Sequence, residues 1–171
     1  RLVSPRHETS AAHMAGAYAR SSGRLGVCMA SNGPGVANVL PGVAVENGEG
    51  NRVLLISSCR RTGIAYPERG GTFQYFDQVG VTAAMTKWAQ TVTAPERLPE
   101  LARRAFGAVW EGRPGVVHLD VPENILNGSF DFTVPYRIQG RYLSGMGEGT
   151  YNGAINVTGS SFAPDIKRVP V

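Results

Sequence analysis

Cysteine is scarce and charge is thin in this 171-residue chain. The two cysteines, Cys28 and Cys59, have no metal-ligand spacing and no secretory context. Each sits in or just after a strand-like run, so buried free thiols are expected. Charged residues make up 18% and aromatics 8%. The cations stand as singles and pairs (Arg60-Arg61, Arg103-Arg104, Lys167-Arg168), and the net charge of +4 comes without a basic run or an RNA-binding signature. No nucleic-acid partner is therefore expected; an anionic ligand explains the excess as well. No apolar run approaches the ~20 residues that cross a bilayer, and no membrane partner is expected. The first residue is Arg1 rather than Met, with no basic-then-apolar leader behind it. The expectation is a processed or excised cytoplasmic protein.

Several chemical signatures are missing as well. There is no GxGxxG or GxxxxGK[ST], which leaves a standard dinucleotide or P-loop site unsupported. No nucleophile elbow is visible. His7 and His13 lack the i, i+4 spacing of a helical zinc pair, so no metal site is assigned.

What remains is an alternation of short apolar runs and helical patterns, with hydrophobic residues at 42%. "RLVSP" reads as the end of a strand, and Glu8 to Ser22 as a helix closed by Gly23. "LGVCMAS" (25–31) and "RVLLISS" (52–58) read as buried strands, separated by the turn "NGPG" and a helix over 36–47 that Pro41 weakens. "WAQTV" (88–92) is a weaker strand. "LPELARRAFGAVWEG" (98–112) is an amphipathic helix, and "GVVHLDVP" (115–122) a last strand. Strands apolar on both faces and separated by helices predict an α/β fold, a mostly parallel sheet flanked by helices on both faces. The long stretch between Cys59 and Trp88 has the length of a functional loop. From Ser129 onward Gly and Ser dominate and periodicity fades. Residues 1–128 are expected to form the domain, and 129–171 a linker or irregular tail.

Open α/β sheets carry their working residues where strands end and helices begin. Glu8 sits at one such place and Ser31-Asn32-Gly33-Pro34-Gly35 at another. The two glycines let backbone approach a ligand closely, and Pro34 stiffens the turn. Each feature also has a plain reading: a tight strand-to-helix turn, and a first-turn acid favoured by the helix dipole. His118 lies in a strand and reads as a hydrogen-bonded core residue. Glu111, Asp120 and Glu123 cluster near an element end without a clear partner.

Taken together, "RHETSAAHMAGAYARSSGRLGVCMASNGPGVANVLPGVAVENGEGNRVLLISS" resembles the pyrimidine-binding (PYR) domain of thiamine-diphosphate enzymes of the acetolactate synthase type. Those carry Arg-His-Glu, then Ala-Ala-His-Met-Ala and Gly-Tyr-Ala-Arg on a helix, and a Gly-Pro-Gly turn followed by Asn. "TFQYFDQVG" is similar to their Phe-Gln-x-x-Asp, and "GRPGVVHLDVPENI" to their Gly-Arg-Pro-Gly-Pro-Val-x-x-Asp-x-Pro. The likeness runs in order over residues 2 to 126.

The resemblance implies that Glu8 hydrogen-bonds N1′ of the cofactor's aminopyrimidine, favouring the tautomer whose 4′ nitrogen deprotonates C2 of the thiazolium. Apolar helix walls suit such a proton-sharing acid. It further implies that Ser31, Gly33, Pro34 and Asn38 line the aminopyrimidine pocket, and that Phe73 and Gln74 face the reacting end, with Gln74 as a catalytic candidate. Lys87 would lie near the substrate channel, followed by Trp88 where many relatives have His. The implied activity is decarboxylation or carboligation of 2-oxo acids. The implied cofactors are thiamine diphosphate with magnesium and, in some relatives, FAD. Members of this family hold diphosphate and magnesium on a domain bearing Gly-Asp-Gly and Asn-Asn. Gly147-Glu148-Gly149 lacks the downstream asparagines, so that domain is expected from another segment or chain, in a homodimer or larger assembly. The family's first strand and helix are caught here only at their end, so the sheet is expected to be incomplete at its N-terminal side. The competing expectation is a non-catalytic α/β scaffold or assembly module in which Glu8 only starts a helix.

Overall fold

The computed structural model describes residues 2–65, 73–135 and 150–156. It divides into two compact units, Arg1–Ile125 and Leu126–Val171. Residues 66–72 of the long loop and Gly147-Glu148-Gly149 lie outside the described residues.

The first unit is an α/β sheet with parallel pairing throughout. Helix α1 (Glu8–Ser22) leads into β1 (Gly26–Ala30), α2 (Pro34–Gly48) and β2 (Val53–Cys59). After the short helices α3 (Thr62–Ala65) and α4 (Gln78–Ala83) come β3 (Trp88–Thr91), α5 (Leu98–Trp110), β4 (Val116–Pro122) and the one-turn α6 (Glu123–Leu126). The strand order is β1-β2-β4-β3. Because all pairs are parallel, Ala30, Cys59, Pro122 and Thr91 end at one rim, where ligands bind in such sheets.

Helix α1 has the bounds its sequence predicts. His7 caps it, Nδ1 accepting the Thr9 N–H at 3.2 Å, and Gly23 ends it in a left-handed conformation at φ 69°. Helix α2 runs straight through Pro41. Pro41 cannot donate to the Ala37 carbonyl, but both residues lie on the exposed side, where water can serve that group.

One sheet face packs against α1 and α2. Its core is Ala12, Ala15, Cys28, Ala30, Val36, Val39, Val43, Val53, Leu55 and Val116. The ring of His13 adds a polar tie, with Nδ1 2.7 Å from Oε1 of buried Glu46, whose Oε2 accepts from Asn51 at 2.6 Å. The opposite face is covered over β2, β3 and β4 by α5, which buries Leu101, Ala105 and Val109. On β1 that second face is open: Val27 and Met29 are 49% and 43% exposed. Among the described residues no helix is long and apolar enough to cross a membrane.

Two expectations need correction. Residues 2–5 form no strand; Leu2 and Val3 are exposed, and no described strand lies beside them to supply ladder bonds. The region after Ser129 is not wholly irregular either. Strands β5 (Ser129–Pro135) and β6 (Thr150–Asn156) pair antiparallel in the second unit, Ser129 opposite Asn156 and Pro135 opposite Thr150. "SFDFTV" alternates polar and apolar residues with period two, the signal that the Gly- and Ser-rich surroundings masked.

Candidate functional site at the strand ends

Glu8 begins α1 and is half-buried, and its Oε2 accepts from Nδ2 of Asn38 on α2 at 3.2 Å. Among the described residues no cation is paired with it, so a neutral amide holds this carboxylate. Beside it, Thr9 Oγ1 donates to the Asn38 carbonyl at 2.5 Å and fastens the two helices at this end.

The turn after β1 lies beside this acid. Pro34 occupies the first turn of α2, where its missing N–H costs nothing. A Cβ placed on Gly35 would stand 2.5 Å from Ser31 Oγ and 3.6 Å from Glu8 Oε1. Any side chain there fills the space in front of the acid. Gly33 has φ 64°, and a Cβ on it would stand 2.6 Å from the Gln74 carbonyl oxygen and 2.9 Å from its Cα. Glycine is required there by both backbone and space.

Gln74 itself has φ 60°, and it is the one non-glycine with positive φ among the described residues. A strained backbone persists where the surroundings over-determine it, and such residues gather at functional sites. Its Oε1 lies 3.5 Å from Nδ2 of Asn32, and the neighbouring Phe73 is 78% exposed. The structure thus brings Glu8, Ser31, Gly35 and Asn38 close together, while Gly33, one residue before Pro34 in the same turn, stands against Gln74.

Lys87 lies apart from these residues. Its N–H donates to the Val116 carbonyl at the start of β3 and β4, the rim opposite the turn. Its Nζ donates to the carbonyls of Ala108 and Glu111 at 2.6 and 2.5 Å, ending α5. A cation at a helix C-terminus satisfies orphaned carbonyls and the dipole together.

Behind the turn lies a buried polar layer that the sequence did not reveal. His118 is 0% exposed, with Nε2 2.7 Å from Ser57 Oγ and Nδ1 2.7 Å from Thr82 Oγ1. Burial pushes its pKa down to about 4, partly offset by nearby Asp120. Asp120, 3% exposed, accepts from Ser57 Oγ, from Gln78 Nε2 at 2.9 Å and from Thr91 Oγ1 at 3.2 Å. Ser, His and Asp meet here, yet they form no nucleophilic triad: the serine bonds acid and imidazole at once, and all three are buried. Gln78 Nε2 also donates to the Ser58 carbonyl at 3.0 Å, while its Oε1 accepts the Gly33 N–H at 2.7 Å. The Asn32 N–H donates to Ser58 Oγ at 2.9 Å. An acid and a histidine inside the apolar run "VVHLDVP" were the available signal; their partners lie dozens of residues away.

Glu123 pairs with Arg60 at 3.0 Å, tying α6 to the end of β2. Cys28 and Cys59 are free and buried, and burial raises the Cys28 thiol to about 12 and pushes Cys59 higher still. Among the described residues no three His, Cys, Asp or Glu side chains group to hold a metal ion.

Residues 1–81 match the family model described as thiamine pyrophosphate enzyme, N-terminal TPP binding domain. The chain is 39% identical over 129 residues to an acetolactate synthase of Arthrospira platensis, covering 74% of this chain and 21% of that protein. It is 34% identical over 136 residues to a probable acetolactate synthase large subunit of Methanocaldococcus jannaschii, covering 78% and 22%. A probable 2-ketoarginine decarboxylase of Pseudomonas aeruginosa is 36% identical over 126 residues, covering 74% and 22%. The chain spans about a fifth of the length of the curated relatives it matches. The order of motifs, the parallel sheet and these matches agree: the chain belongs to the acetolactate synthase-like thiamine pyrophosphate enzymes, and it carries their N-terminal TPP binding domain.

Proposed function

We propose that this chain supplies the aminopyrimidine-binding half of a thiamine-diphosphate enzyme acting on 2-oxo acids. A diphosphate- and magnesium-binding domain from another segment or chain completes the site. The observation that carries the proposal is the convergence of Asn38 and Gly35 on Glu8: Asn38 Nδ2 lies 3.2 Å from one carboxylate oxygen, and a Cβ on Gly35 would stand 3.6 Å from the other.

These residues fit the group. An aminopyrimidine is flat, apolar on its faces and polar at its edge. Gly35 leaves open the space in front of Glu8 that any side chain would fill. When bound, the cofactor supplies a thiazolium carbon for addition to a carbonyl and an electron sink for loss of carbon dioxide. Glu8 would hold the proton shared with the ring nitrogen N1′, and among the described residues no cation is paired with its carboxylate. Asn38 fixes that carboxylate through Oε2. Ser31 and Pro34 border the ring, and Phe73 and Gln74 form the side turned to substrate. The names of the relatives support a 2-oxo acid as substrate, and the exposure of Phe73 suits a surface that another domain covers.

The test is Glu8→Gln in the chain assembled with its diphosphate-binding partner. Exchange of the cofactor's C2 proton slows by about a hundredfold or more, while thermal unfolding stays close to that of the parent. Equal exchange rates would leave the scaffold alternative standing.

A further inference from the structure

Gln78 lies on α4, buried, and both ends of its side-chain amide are committed. The carbonyl end accepts the Gly33 N–H at 2.7 Å. The amide end donates to Asp120 Oδ1 at 2.9 Å and to the Ser58 carbonyl at 3.0 Å. Turning the amide over would aim an acceptor at a carboxylate and a carbonyl, and a donor at an N–H. The orientation is therefore forced by its partners. Asp120 is in turn held by the hydroxyls of Ser57 and Thr91, and Ser57 by His118.

We propose that Gln78 is the positioning residue of the cofactor turn: aimed by buried Asp120, it pins the Gly33 N–H and fixes the course of the chain from Ser31 to Gly35. Gly33 is the N-terminal flank of α2, and no side chain caps that helix. The Asn32 N–H is held by Ser58 Oγ at 2.9 Å and the Gly33 carbonyl accepts from the Ala37 N–H at 2.9 Å, so the Gln78 bond is what holds the N–H of Gly33, the residue whose φ is 64°. The Gln78 bond replaces a cap, applied from a neighbouring element 45 residues along the chain. Losing it strands a buried N–H and leaves Asp120 short of a donor. The turn then relaxes away from Gln74, and Ser31 and Gly35 shift relative to Glu8. Gln78 touches no ligand on this reading; it acts through the turn.

The proposal rests on the aminopyrimidine reading for its functional consequence, but its structural content can be measured without cofactor. The experiment is amide hydrogen exchange resolved at Gly33 in the full chain, for Gln78→Met and Gln78→Asn. Methionine fills the same volume without the bond, and asparagine keeps the amide but is one methylene too short to serve both ends. Both variants lose about tenfold or more of the protection at Gly33, while the amides of Val53 to Leu55 keep theirs. Asp120→Asn is the rescue control. Its carbonyl can still accept from Ser57 and Gln78 while its amide donates to Thr91, so Gly33 stays protected.

Unchanged protection at Gly33 in both Gln78 variants overturns the proposal, as does a uniform loss that includes β2, which marks a general packing role. Thiamine diphosphate affinity, measured in the assembly with the diphosphate-binding partner, separates the two ideas. A drop of about tenfold in the deprotected variants supports both. Deprotection at unchanged affinity supports Gln78 as the positioning residue and removes the turn from the cofactor site.

Discussion

Asn38 donates its side-chain amide to Oε2 of Glu8 at 3.2 Å, so the acid opening α1 is held by a neutral group from α2. A lysine or arginine there would stabilise the ionised carboxylate and weaken its hold on a proton. An amide orients it without that penalty. Asn38→Ala should therefore separate binding from stability. Alanine is the better helix former, and Asn38 is exposed, so the thermal midpoint stays level or rises slightly. Thiamine diphosphate affinity in the assembled enzyme, followed by calorimetric titration, falls by about tenfold.

Gly35→Ala probes the space in front of the acid. The new methyl group stands 2.5 Å from Ser31 Oγ, so the single variant loses about 1–3 kcal/mol of stability and most of its cofactor affinity. Adding Ser31→Ala removes the clashing oxygen, leaving the Ser31 Cβ at 3.4 Å. Chemical denaturation should then show stability largely restored. Affinity stays low, because the methyl still lies 3.6 Å from Glu8 Oε1, inside the cleft. Recovery of both together would mean that Gly35 serves packing alone.

His118 gives the fold an acid-sensitive element. Its pKa is pushed from 6.5 to about 4 by burial, so the native state keeps the imidazole neutral where the unfolded chain takes a proton. The stability it contributes is fully present above pH 6.5 and is lost as pH falls toward 4, by up to roughly 3 kcal/mol. His118→Gln lowers stability at pH 7 through lost packing and hydrogen bonds. It also flattens the pH dependence between 6.5 and 4 relative to the parent, read from urea midpoints at several pH values. Other carboxylates titrate in both proteins, so the difference between the two curves reports His118.

Much of this architecture was legible because its signals are local. Gly23 ends α1 through its own conformation, and the apolar runs at 26–30, 53–59 and 116–122 are strands buried on at least one face. Glu8 and the Gly33–Gly35 turn could be singled out by position, since strand ends and helix starts are where a sheet can hold a ligand. The link from Asp120 through Gln78 to Gly33 was not legible. It joins three elements, and nothing within ten residues of Gln78 betrays a buried amide. The hairpin of β5 and β6 was hidden differently: its period-two stretch is only a few residues long and sits among glycines. The helix expected over 36–47 forms despite Pro41, because a lost helix bond on a wet face costs less than one in the core.

Lys87 shows where a motif and its geometry part company. Its place in "TKW" matches a position the family resemblance sets near substrate, yet its ammonium is spent on the Ala108 and Glu111 carbonyls. A Cβ on Gly115 would stand 2.9 Å from the Lys87 Cγ and Cδ, so the side-chain stem lies along the start of β4 and is held there by packing. Lys87→Met keeps the stem and deletes the charge. It should cost about 1 kcal/mol, because two helix-end carbonyls lose a charged donor but remain near solvent. Thiamine diphosphate affinity in the assembled enzyme should be unchanged, and KM for a 2-oxo acid should move by less than about twofold. A large rise in KM with unaltered stability would return Lys87 to the substrate path, and would require a partner domain to draw it off α5.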